Sequence, residues 1–340
     1  MRRTQVAKLI ESNPILQAPM AGITTPELVS EVSNQGGIGQ IGAGYLEVLS
    51  LEKFIHDVKL QTNRIYGVNL FIPEKAEITN KQLEKVKETI KAKVPQYSDD
   101  LPKDIKLIDV FDQHIDLIIK EQVPIVSFTF GLPDQLLIER LKASDIYVIG
   151  TATSVAEAIA VEKAGCDAVV VQGSESGGHR GNFLGEDQLI GLMALIPQVV
   201  DAVSIPVIAA GGIMDNRGVK AALCLGAATV QIGSAFLMTS ESSAPDLHKE
   251  ALLESMETDM VLTKAFSGKS ARGIRNTFID LFENKSYEIL AYPYQNSLTK
   301  NLRKLAGQND DKEYMSLWGG QAVRLSKRQT VKELINELKK

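Results

Sequence analysis

Short apolar runs alternate with longer amphipathic stretches through most of the chain, and that alternation predicts a parallel sheet wrapped by helices. Eight runs have strand length: residues 14–18, 38–41, 66–71, 124–130, 146–151, 168–172, 205–210 and 229–233. Eight strands is the number that closes a barrel. After the first of them, Thr25-Pro26-Glu27 supplies a helix cap, a proline suited to the first turn and an acid for the helix dipole, and Gly36-Gly37 ends the helix. Helices predicted over 154–164 and 216–225 stop at Gly165 and Gly226. The strands that follow them, in GCDAVVVQG and GAATVQIG, share one grammar: a helix-ending glycine, a β-branched run, then a glutamine and a glycine. The expected fold is therefore α/β, a (β/α)8 barrel of the TIM type. A doubly wound sheet is the rival, but its GxGxxG after the first strand is absent, since Gly22 is the only glycine there.

Two regions interrupt the alternation. Residues 74–121 are long, charged and helical in pattern, and residues 244–340 are mostly helical too. With no polar linker between them, the expectation is a single domain, 1–340, with an inserted helical region at about 74–121 and a C-terminal helical extension at about 275–340.

Composition narrows the class without changing the fold. In 340 residues, 44% are hydrophobic and 23% charged, which suffices for a sizeable core without disulfides or metal. A net charge of −5 disfavours nucleic acid as a partner, because phosphate binding needs a dense basic surface. Cys166 and Cys224 lie in apolar segments outside any metal spacing and read as buried thiols, which fits a reducing cytoplasm. The first residues lack the apolar centre of an export signal. Residues 188–214 carry only one charge, Asp201, yet Pro197 and Pro206 divide them into a helix, a turn and a strand rather than a membrane span.

In such a barrel the chemistry sits beyond the carboxyl ends of the strands. There the sequence places Gly211-Gly212 and Gly233-Ser234, in the two loops where these barrels most often hold a phosphate on main-chain N–H groups. Asn69, Gln172 and Gln231 offer amides, donors and acceptors at once, as the edge of a flavin requires. Each alone also serves to tie down a loop. Together with a phosphate site they point to flavin mononucleotide (FMN) rather than a dinucleotide. GSESGGHRGNF, residues 173–183, then brings four glycines and His179 to the end of one strand, and His179 is the leading acid–base candidate. His56, His114 and His248 read as surface or packing residues, and no two histidines have metal-ligand spacing. Residues 263–276 hold Lys264, Lys269, Arg272 and Arg275, either an anion grip or an exposed basic face; Tyr292 and Tyr294 either roof the pocket or pack the terminal helices.

PILQAPMAG, YGVNLF, FTFGLP, GSESGGHRGNF, IPVIAAGGIMDNRG, VQIGSAFL and TKAFSGKSARGI, in that order, resemble the class I nitronate monooxygenases. The resemblance runs from about residue 14 past YPYQNSLT. It implies an FMN enzyme that oxidises alkyl nitronates, propionate 3-nitronate among them, with dioxygen to a carbonyl compound and nitrite, without a nicotinamide. Carried over by motif, it sets Met20 and Gly22 along the flavin, with Asn69 and Gln172 hydrogen-bonded to it. Gly177, Gly211, Gly212, Gln231, Gly233 and Ser234 surround its ribityl phosphate end, and His179 is the catalytic residue. Flavin-dependent enoyl-acyl-carrier-protein reductases share the ESGGH and IPVIAAGGI motifs and are the alternative; a flavin-binding protein without turnover is a further one.

Overall fold

The computed structural model describes residues 8–10, 12, 14–107, 109–283 and 289–340. Eight parallel strands form one sheet: β1 (Ile15–Gln17), β2 (Gly39–Gly42), β3 (Tyr66–Phe71), β4 (Ile125–Thr129), β5 (Tyr147–Ala152), β6 (Ala168–Gln172), β8 (Val207–Ala210) and β9 (Thr229–Ile232). Their order is β1-β9-β8-β6-β5-β4-β3-β2. The two ends meet at a parallel Leu16–Ile38 bridge, where Gln17 N donates to Ile38 O at 3.0 Å and Ile38 N to Ile15 O at 2.9 Å. The cylinder closes, as the eight apolar runs predict.

The local signals act as expected. Thr25 accepts from Leu28 N at 2.9 Å and Pro26 opens the helix Pro26–Asn34. Ser154 caps Val155–Ala164, which ends on Gly165 at φ +93°, a left-handed position that glycine fills cheaply.

Alternation along the strands sorts the barrel interior into two layers. The lower layer is an apolar plug in which Leu16, Ile38, Ile125, Ile149, Val170 and Ile208 pack together. Two residues beyond four of these, the inward positions turn polar, with Gln40, Ser127, Thr151 and Gln172, and Asn69 of β3 and Gln231 of β9 join the same layer. The plug closes the floor, and the polar layer opens toward the carboxyl ends of the strands.

The two exceptional regions build on each other. Helix Phe111–Lys120 buries Ile115, Leu117 and Ile118 in the main barrel core and is the barrel's own helix between β3 and β4. Only the stretch before it is an excursion, and its helix Asn80–Lys93 packs Leu83, Val86 and Ile90 on Phe278, Leu298 and Leu302 of the C-terminal region. The last helix, Val331–Leu338, returns to the barrel and packs on Leu28, Val32 and Val219. The helical pattern of 244–340 also conceals strands. β10 (Met260–Thr263) and β11 (Ala271–Ile274) pair antiparallel, and β7 (Gly178–His179) joins β11 in the register Ala271–His179. Among the described residues no helix is long and apolar enough to cross a membrane.

Candidate active site

At the rim of β1, β8 and β9, and in the loop after β6, the chain presents main chain. Gly22 (φ +80°) and Gly178 (φ +70°) have open space where a Cβ would stand. Gly211 (φ +116°) and Gly212 (φ +69°) occupy conformations that L side chains rarely adopt. The N–H groups of Gly212, Gly233 and Ser234 donate to no protein acceptor among the described residues. Unpaired donors around glycines make an anion cradle. Ser234 also serves the fold, its Oγ accepting from Gly320 N at 3.0 Å. Gly177 is different, because a Cβ there would meet the Gly319 and Gly320 main chain; its smallness lets the C-terminal segment come close. Met20 turns the loop after β1, its carbonyl accepting from Thr24 N at 2.9 Å.

Below the rim the amides form a belt. Gln40 Nε2 donates to Gln231 Oε1 at 2.8 Å, Ser127 Oγ to Gln40 Oε1 at 3.1 Å, and Asn69 Nδ2 to Ser127 Oγ at 2.9 Å and Thr129 Oγ1 at 3.1 Å. Among the described residues Gln231 spends only its oxygen here and Asn69 only its nitrogen, so each keeps one end of its amide for a bound group. Gln172 is committed at both ends to the loop that follows it, donating to His179 O at 3.0 Å and accepting from Gly181 N at 2.8 Å.

His179 stands across the rim in a corner of side chains. Phe130, Trp318 and Tyr292 ring it, with centroids at 5.8, 5.6 and 6.2 Å. Phe130 holds φ +73°, a strained value for an aromatic residue, and packs on Phe71 at 4.6 Å. His179 Nε2 lies 2.8 Å from Ser267 Oγ, and that hydroxyl also donates to Lys269 O at 3.0 Å. A hydroxyl has one proton; with it on the Lys269 carbonyl, Nε2 is the donor and Nδ1 carries the lone pair. Burial, then the charges of Arg303 and Lys269, lower the imidazole pKa to about 3, so the ring is neutral at pH 7. Burial and the nearby Tyr45 hydroxyl push the Tyr292 phenol well above its usual range.

The cations of 263–276 do not act as one cluster. Arg272 donates to Ser174 O at 2.9 Å and Met260 O at 2.9 Å and is a buried strut. Arg275 is exposed and paired with Asp280 at 2.7 Å and Glu283 at 2.5 Å, and Lys264 is exposed. Lys269 alone reaches the corner, its ammonium 4.5 Å over the Phe130 ring and paired with Glu74. Tyr294 opens the helix Tyr294–Gln308 and packs in the C-terminal core. Arg180, next to His179, is fully buried. It donates to Asp187 Oδ2 at 2.6 Å, Gly173 O at 2.5 Å and Ser176 Oγ at 2.9 Å, stapling the two ends of the 173–187 loop.

A family model described as nitronate monooxygenase matches residues 3–340. This chain belongs to the nitronate monooxygenase family. A probable nitronate monooxygenase of Staphylococcus aureus (strain JH9) is 51% identical over 318 residues, 92% of this chain and 89% of the relative. The crystal structure of nitroalkane oxidase from Streptomyces ansochromogenes superposes with a TM-score of 0.92 at 37% identity, covering 97% of this chain and 96% of that one. FabK from Thermotoga maritima gives 0.78 at 32% identity, covering 98% and 94%. The enoyl reductase domain of MlnA from Bacillus amyloliquefaciens, 15% identical with a TM-score of 0.65, shares the fold alone.

Within this family member the sequence leaves several corner residues unnamed. Ser267, Phe130, Trp318, Glu74 and Arg303 come from five separate stretches, and only FTFGLP and TKAFSGKSARGI carry a local hint. Arg303 is held by Asn296 O and Oδ1, both at 2.9 Å, and burial lowers its pKa to about 10, which leaves it charged. One further reading is corrected and one is narrowed. Cys166 is buried, its thiol pushed up to about 12 chiefly by burial, but Cys224 is exposed. His248 is a packing residue, buried with Nε2 3.0 Å from Trp318 O.

Proposed function

We propose that this nitronate monooxygenase holds FMN across its glycine rim and oxidises alkyl nitronates, propionate 3-nitronate among them, with dioxygen, releasing a carbonyl compound and nitrite. The observation that carries the reading is the pairing of unpaired main-chain N–H groups on one side of the mouth with a neutral, aromatic-walled His179 on the other. Gly212, Gly233 and Ser234 would receive the phosphate, and the open ends of Gln231 and Asn69 the polar edge of the ring system. Gly22 and Gly178 would let its flat face lie against main chain, because no Cβ intervenes. When bound, FMN supplies the electron acceptor and the centre at which dioxygen reacts.

The chain's own residues then receive the substrate. A nitronate is already an anion, so it needs no strong base, and an imidazole of low basicity is suited to it. Nε2 stays tied to Ser267, which fixes the orientation of the ring beside the substrate. The positive field at the corner comes from Lys269 and Arg303, aimed where negative charge sits. Phe130, Tyr292 and Trp318 exclude water, which strengthens those interactions.

The test is to purify the protein, identify the extracted yellow cofactor, and assay nitrite from propionate 3-nitronate. FMN together with nitrite supports the reading. NADPH-driven bleaching of the flavin with an enoyl thioester, without nitrite, would assign the reductase activity instead, and flavin without either turnover a binding protein.

A further inference from the structure

We propose that Glu74 is an internal counter-ion for Lys269 which an anionic substrate must displace, so that this ion pair sets the affinity of the site for anions. The inference rests on the nitronate reading of the same corner. Lys269 is the cation of this corner that no main-chain or amide acceptor holds among the described residues: the ammonium lies over Phe130, whose ring packs edge-on against His179, and Glu74 is its one carboxylate partner among them. Arg303, the other positive charge felt by His179, is locked by Asn296, Thr299 and Ser316. Glu74 sits in residues 72–79, which have no regular structure between β3 and the helix Asn80–Lys93, and no other hydrogen bond or ion pair holds its carboxylate among the described residues. Its side chain is 31% exposed against 15% for Lys269. The carboxylate, the more exposed of the two, loses little on returning to water, whereas the ammonium, the more covered one, gains more from an anion beside it. Glu74 is thus the replaceable member, and a nitronate entering beside His179 takes its place.

The consequence is a pair of opposite signs. Lys269→Met removes the anion's partner and is expected to raise KM for a nitronate about tenfold or more, the scale of a charge-assisted hydrogen bond. Glu74→Gln removes the competitor and is expected to lower KM about two- to fivefold, the scale of a part-exposed ion pair. In both, the larger part of the change lies in KM rather than kcat. Calorimetric binding of nitrate, a planar oxyanion that does not turn over, follows the same two directions. In the double variant the Glu74 change has no further effect, because it acts through Lys269. If Glu74→Gln instead weakens nitronate and nitrate as Lys269→Met does, the pair is only a structural tie and the proposal is overturned. If the wild-type protein releases no nitrite at all, it is the functional reading that fails.

Discussion

The two sides of the barrel mouth are made of different material. One, around Gly22, Gly211, Gly212 and Gly233, offers main chain and open space; the other, around His179, is assembled from aromatic rings, a hydroxyl and two cations. Main chain suits a group that is always the same, since N–H donors at a strand end need only glycines to expose them. Side chains suit a substrate that comes and goes, because charge and shape can be set residue by residue. Arg180 and Gln172 join the two sides by fixing the loop between them.

The comparison breaks hardest at that joint. Arg180→Met leaves the Asp187 carboxylate, nearly buried, without its partner, and is expected to cost about 3–5 kcal/mol of stability by urea unfolding. Arg275→Met, which also removes an arginine but from exposed pairs, is expected to change stability by about 0.5 kcal/mol or less. Equal losses would remove Arg180 from its structural role.

Acid should weaken the side-chain corner next. His179 and His248 have folded pKa values lowered, chiefly by burial, to about 3 and about 4 from the usual 6.5. Between those values and 6.5 the unfolded chain binds more protons than the folded one, so stability is full above about pH 6.5 and falls as pH drops toward 4. Melting temperatures measured from pH 7 to 4 should fall, and His248→Gln should flatten the fall. A wild-type curve level across that window would contradict the neutral imidazoles.

The smallest change falls on the rim. Gly211→Val forces an L side chain to φ +116° with its Cβ 3.1 Å from Ser176 N. With the free rim relaxing out of that conformation, regaining it on binding costs about 1–2 kcal/mol, and the flavin Kd should rise roughly tenfold. Unchanged flavin affinity would argue that the rim does not touch the cofactor.

The contrast also explains what was legible in the sequence. Strands, caps and the glycine rim are local patterns, so the barrel and the main-chain side could be read from periodicity and glycine placement. His179 stood out because its loop is rich in glycine. The rest of its corner is non-local: Phe130, Ser267, Trp318 and Arg303 meet only after β7 pairs with β11 and the C-terminal segment folds across the mouth. The four cations of 263–276 looked like one cluster, yet the turn before β11 and the strand itself send Lys269, Arg272 and Arg275 to three different surroundings. The strands β10 and β11 were hidden for a similar reason, being short and stabilised by their partners rather than by their own pattern.

The most direct test of the account is oxygen uptake with propionate 3-nitronate by FMN-loaded wild-type protein and by His179→Asn, with the visible spectrum recorded for both. The account predicts that both proteins stay yellow while the variant loses about 100-fold or more in kcat/KM. Equal uptake by the two would contradict it.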